Sequence, residues 1–274
     1  MYGLAEYNND LARSKASGAS IVTAGKSTLG RDIHLMHKGS IEGAQVFVHA
    51  GIHAREYITT PLVMRLMEHY TGSGGVWCVP SANIDGMLLV TDGISSVADK
   101  ARRDFLIGAN AGSEDFTMWK ANANAVDINV NFAANWGMGK GNIHAPASAD
   151  YIGPYPFSEV ESCILAGITY RIGPVLTLSY HTKGNVVYHG YMDNNSHEAE
   201  AKIIANYINY PLMCSRGSFG GYKDWFMATT PYLGLTIECG NDCLLHPIGM
   251  GELDNLYKVH EGILDVATRE VAHL

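Results

Sequence analysis

The sequence predicts an α/β layer fold with a largely parallel or mixed sheet, in one large domain spanning residues 1–274. Three observations carry this prediction. Short apolar runs of strand length alternate with longer stretches whose apolar residues recur at helical spacing. Turn residues, glycine above all, separate the two kinds of segment. A chain of 274 residues with 47% hydrophobic content is long enough to bury one substantial core.

In chain order, residues 4–17 have the mixed composition of a helix. Residues 21–23 and 33–36 read as strands, joined into a hairpin by the turn-rich Gly25-Lys26-Ser27-Thr28-Leu29-Gly30-Arg31. An apolar run at 46–48 is a short buried strand that Gly51 ends, and residues 57–70 carry helical spacing. Residues 76–79 form a further strand. Residues 137–157 are rich in Gly, Pro, Ala and Ser without periodicity, which predicts a long irregular loop of the kind that carries function. Residues 159–171 are helical in pattern, 175–179 a strand, 197–209 a helix, 233–237 a strand and 253–273 a helix.

Nineteen basic against 27 acidic residues give a net charge of −8, which argues against nucleic acid or an anionic membrane as partner. There is no apolar run of about 18 residues and no basic stretch leading an apolar one at the N-terminus, so the expected location is cytoplasmic. Five cysteines, an odd number, read as free buried thiols of a reducing compartment.

The chemistry concentrates at strand ends. His53 and Glu56 follow the 46–48 strand and read as one helical turn apart, on one face. Imidazole and carboxylate are ligands that zinc accepts, and a catalytic zinc site takes three protein ligands with one position left for water. Among 12 histidines, His181 is singled out because it follows the strand 175–179, at the sheet edge where open α/β folds bind ligands. Glu238 ends the strand 233–237. Alone it reads as a solvated strand end, whereas beside a zinc ion it becomes the base for water. Cys239 follows it, and strand alternation points that thiol away from the cleft.

An ordered set of motifs resembles the zinc metallocarboxypeptidases, the carboxypeptidase A-like family, along nearly the whole chain. The set comprises the 25–31 turn, His53-Ala54-Arg55-Glu56, the 80–86 stretch ending Asn83-Ile84-Asp85-Gly86, Val126-Asp127-Ile128-Asn129, Ser179-Tyr180-His181 and Thr236-Ile237-Glu238. The resemblance implies a single domain with a mixed, mostly parallel twisted sheet of about eight strands and helices on both faces. It implies one zinc ion per chain held by His53, Glu56 and His181, with Glu238 as general base. Asp127 matches the carboxylate that orients the first zinc histidine, and Arg55 a residue that contacts the peptide upstream of the scissile bond.

Departures from the family pattern bear on substrate. Asn129 is followed by Val130, where the family carries an arginine that grips the substrate's terminal carboxylate. Lys120 stands where the family places an arginine that polarises the scissile carbonyl. Around the Gly220-Gly221 pair, Arg216 takes the place of a tyrosine, Tyr222 follows directly, and Lys223 occupies the position that floors the specificity pocket. Asn129, Arg216, Tyr222 and Lys223 are therefore expected to bind substrate, and a cation at the pocket floor selects an anion. With the stretches 151–157, 180–184 and 220–226, these departures resemble the bacterial γ-D-glutamyl-L-diamino acid peptidases, which cut murein stem peptides between D-Glu and meso-diaminopimelate or lysine. The expected partner is thus a murein-derived peptide. Two other readings stand beside this one: a conventional carboxypeptidase with a relocated carboxylate-binding arginine, and an inactive peptide-binding module.

Overall fold

The computed structural model describes residues 2–270. Eight strands form one sheet: β1 (Ser20–Lys26), β2 (Asp32–Lys38), β3 (Gln45–His49), β4 (Gly75–Val79), β5 (Leu176–His181), β6 (Val186–His189), β7 (Leu212–Cys214) and β8 (Leu233–Glu238). Their spatial order is β1-β2-β4-β3-β5-β8-β6-β7. The helices are α1 (Leu4–Ala16), α2 (Thr59–His69), α3 (Ile84–Asp92), α4 (Lys100–Ala109), α5 (Val160–Ile172), α6 (Glu198–Tyr207), α7 (Tyr222–Thr229), α8 (Leu253–His260) and α9 (Ile263–Glu270). None among the described residues is long and apolar enough to cross a membrane.

The four central strands β4, β3, β5 and β8 run parallel, and antiparallel pairs flank them: β2 on β4 with the β1–β2 hairpin outermost, and β6 on β8. Parallel strands are covered on both faces, which is why β3 and β5 are buried at every position. Alternation sorts their side chains between two cores. Val46, Val48, Leu176, Leu178, Tyr180, Leu235 and Ile237 enter the core with α1, α2, α8 and α9, while Phe47 faces the other way, against Tyr222, Trp225 and Phe226 of α7. A fully buried side chain of this size contributes about 1.5–3 kcal/mol.

The single helix expected over 253–273 is two, because Gly262 takes φ +79° between α8 and α9; residues 271–273 lie outside the described residues. The helix expected over 57–70 begins at Thr59. All five cysteines are free, but only Cys78 and Cys239 are buried, so the expectation of buried thiols fails for Cys163, Cys214 and Cys243. Cys239 packs in the α1–α2 core, on the side of β8 opposite to Thr236 and Glu238, as alternation requires.

Candidate metal centre and cleft

The parallel strands deliver their ends to one edge of the sheet. β3 stops at His49, and the chain turns through Gly51, whose φ of +60° suits glycine and whose N–H donates to Thr59 Oγ1 at 3.0 Å. His53 is extended, and Ala54–Glu56 form a single 3-10 turn. The expectation that His53 and Glu56 share a face of a regular helix is therefore corrected. They meet across a 3-10 turn, in which residues i and i+3 eclipse, so the spacing still brings them together. His181 ends β5, in register with Glu238 at the end of β8.

Three buried donors converge. His53 Nδ1 lies 2.9 Å from Glu56 Oε1, His181 Nδ1 lies 3.1 Å from Glu56 Oε2, and the two Nδ1 atoms are 3.1 Å apart. Two imidazole nitrogens facing one another share at most one proton, so their lone pairs call for a shared cation. Tetrahedral ligands at about 2.0–2.1 Å from zinc lie about 3.3 Å from each other, close to the spacing here. The donor set thus fits a zinc ion. The Thr182 N–H donates to Glu56 Oε2 at 3.2 Å and helps fix the carboxylate. Behind His53, its Nε2 lies 3.3 Å from Asp127 Oδ1, and Asp127 Oδ2 receives Lys120 Nζ at 2.8 Å. Lys120 also reaches Asp150 Oδ1 at 3.1 Å.

The protonation states follow from burial set against these charges. Burial opposes charge on Glu56, and the imidazoles of His53 and His181 overcome it, holding the carboxyl well below the usual range. Burial likewise opposes a charged His53, yet the carboxylates of Glu56 and Asp127 prevail and raise it to about 9. His181 is lowered, chiefly by burial. Asp127 is buried too, and Lys120 and His53 keep it ionised. Burial pushes Glu238 up to about 8, aided by the negative charge of Glu56.

A cavity of about 430 Å³ opens beside this group, walled by His53, Lys120, Val130, Lys140, Asn142 and Asp150 among others. A second, of about 230 Å³, is lined by Tyr188, Lys223, Thr236 and Glu238, and Asn129, Gly217 and Ser218 border both. His53, Lys120, Asn129, Lys223 and Glu238 therefore all reach the cleft. Arg55 is half-buried on the 3-10 turn, with its Nε buried and without a hydrogen-bond partner among the described residues.

Arg55 lines neither cavity, and two further expected substrate contacts do not reach the cleft. Tyr222 is fully buried against Phe47 and His49, and its hydroxyl bonds Thr169 Oγ1 at 2.7 Å, so it belongs to the core. Arg216 is exposed and lines neither cavity. Lys223 is not a free cation: its ammonium donates to Asp224 Oδ1 at 2.6 Å and to the Gly190 carbonyl. Asp224 also accepts the Ser218 and Phe219 N–H groups, tying down the lip shared by the cavities. Sequence reasoning missed Asp150, Asp224, Lys140 and Asn142. For Asp224 a signal existed, since it directly follows Lys223; the others lie in the 137–157 stretch, whose composition announces a loop without saying which side chains face inward.

The model of the zinc carboxypeptidase family matches residues 4–247. Gamma-D-glutamyl-L-diamino acid endopeptidase 1 of Lysinibacillus sphaericus is 31% identical over 235 residues, covering 78% of this chain and 58% of that protein. The chain thus spans less than two thirds of that relative's length. Bovine thrombin-activatable fibrinolysis inhibitor, solved with tick carboxypeptidase inhibitor, shares the fold with a TM-score of 0.76 at 19% identity, over 99% of this chain and 97% of that one. Murein-tripeptide amidase from Escherichia coli O157 shares it with a TM-score of 0.62 at 23% identity, over 93% of each chain. With a family match across most of its length and a buried His-Glu-His group able to hold the metal, the chain belongs to the zinc carboxypeptidase family.

Proposed function

We propose that this enzyme hydrolyses the amide bond between γ-D-glutamate and a diamino acid, meso-diaminopimelate or lysine, in murein stem peptides. The observation that carries this reading is the 31% identity, across 78% of the chain, to an endopeptidase named for that bond. Val130 on the cleft wall agrees with it, because a valine offers nothing to the terminal carboxylate of an ordinary carboxypeptidase substrate.

In this reading His53, Glu56 and His181 hold one zinc ion per chain, and Asp127 fixes the ring of His53 through Nε2. Bound zinc supplies a Lewis acid for the scissile carbonyl and brings the pKa of water to about 7. Glu238 takes the proton of the attacking water and delivers it to the leaving amine. Lys120, anchored by Asp127 and Asp150, adds positive charge beside the developing oxyanion as a point charge rather than a planar fork. Asn129, which borders both cavities, contacts the peptide, and Arg55 contacts it upstream of the scissile bond.

The test is to incubate the zinc-loaded protein with γ-D-glutamyl-diaminopimelate and γ-D-glutamyl-lysine peptides, and with peptides ending in ordinary Phe or Lys. Release of the diamino acid or a diamino-acid-headed fragment is the expected result. Cleavage of the ordinary peptides alone sinks the murein reading.

A further inference from the structure

Val130 leaves the cleft without the arginine that grips a carboxylate in the family, and the cations expected to compensate are committed elsewhere. Arg216 lines neither cavity, Lys223 is matched by Asp224, and Lys120 is shared between Asp127 and Asp150. One cation on the wall of the larger cavity remains: Lys140, exposed and without a carboxylate at ion-pair distance among the described residues.

Lys140 sits in a tight turn, closed by the Asn142 N–H donating to the Gly139 carbonyl at 3.1 Å. Asn142 lines the same cavity, and its side-chain Nδ2 is buried without a hydrogen-bond partner among the described residues. A buried amide N–H lacking an acceptor is costly, so a donor in this state beside an unpaired ammonium points to an anion that completes both. The same cavity holds Val130 and the metal-facing His53.

We propose that Lys140 and Asn142 hold the carboxylate of the residue on the leaving side of the scissile bond, supplying from the 137–157 loop what Val130 cannot. Two donors on separate stems accept a carboxylate without the fixed alignment that a guanidinium fork demands. The identity of that residue as a diamino acid rests on the murein reading; the role of Lys140 does not.

The experiment compares kcat/KM on matched pairs, each a free acid and the amide of that same carboxylate, for a γ-D-glutamyl-diaminopimelate peptide and for an ordinary C-terminal peptide. The wild type is expected to favour the acid by about tenfold or more. Lys140→Ala brings that ratio to within about twofold of one, acting through KM, Asn142→Ala lowers it partly, and Lys140→Arg restores most of it. An acid-to-amide ratio near one in the wild type, an equal loss on acid and amide in Lys140→Ala, or no loss at all overturns the proposal. If the wild type cleaves only the ordinary pair, the murein reading fails and the ratio on that pair still decides the role of Lys140. Cleavage of neither pair overturns both.

Discussion

Glu238 and His53 carry the residue-scale predictions, because their surroundings displace their protonation and both stand at the metal group. Glu238→Gln keeps the size and polarity of the side chain and removes the base, so turnover is expected to fall by about 10²–10⁴-fold while bound zinc, measured by metal analysis, stays near one per chain. Wild-type rates in that variant would remove Glu238 from the mechanism. His53, raised to about 9 by Glu56 and Asp127 against its burial, is protonated at neutral pH in the metal-free protein. A metal ligand must be neutral, so zinc uptake near pH 7 releases about one proton from it, and apparent affinity rises about tenfold per pH unit up to that pKa. Calorimetry in buffers of different ionisation enthalpy counts the proton; a count of zero contradicts the assignment. His53, Glu56, His181 and Glu238 were legible because position at strand ends marks them. The fate of Tyr222 and Lys223 was not. Whether a tyrosine directly after a glycine pair faces cleft or core depends on what packs over it, here Thr169, Phe47 and His49 from distant segments.

At the scale of elements, the junction between β3 and α2 sets the metal group. A Cβ on Gly51 comes within 2.8 Å of Thr60 Oγ1 and 3.3 Å of the Ser81 backbone, at a φ of +60° that side chains rarely adopt. Gly51→Ala is therefore expected to cost about 1–3 kcal/mol in stability and to weaken zinc binding, since the turn carrying His53 shifts with it. Urea unfolding of the metal-free protein reads the first effect and zinc titration the second; wild-type values in both would show that the turn tolerates the side chain. The glycine and the apolar run before it were plain in the sequence, and so were α1, α5, α6 and the central strands. The unannounced elements each have a physical cause. In α3 the sequence Ile84-Asp85-Gly86-Met87-Leu88-Leu89 is buried almost all round, which erases the one-sided pattern that marks a helix. β7 has only three residues, and the amphipathic pattern through 253–270 continues across a glycine that breaks it.

For the molecule as a whole, the two cores on either side of the sheet depend on buried polar joints remote from the metal, and His260 is one whose consequence is measurable. It ends α8 fully buried, with Nδ1 3.2 Å from the Tyr180 hydroxyl of β5 and Nε2 3.3 Å from the Tyr210 hydroxyl just before β7. A neutral imidazole suits this place, accepting from one phenol and donating to the other; a charged one has no carboxylate at ion-pair distance among the described residues to meet it. Burial accordingly lowers its pKa to about 3, below the roughly 6.5 of an unfolded histidine. Because the folded value is the lower, the unfolded chain binds the proton first as pH falls. The stability is complete above about pH 6.5 and drains away toward pH 3, at up to about 1.4 kcal/mol per pH unit. From pH 7.5 to pH 5 this one residue accounts for about 2 kcal/mol. Unfolding free energies of the wild type and His260→Gln at both pH values isolate that share, because the variant loses the titration whatever its absolute stability. The wild type is expected to lose about 2 kcal/mol more than the variant over this interval, and equal losses in the two proteins would show that His260 is protonated without cost to the fold.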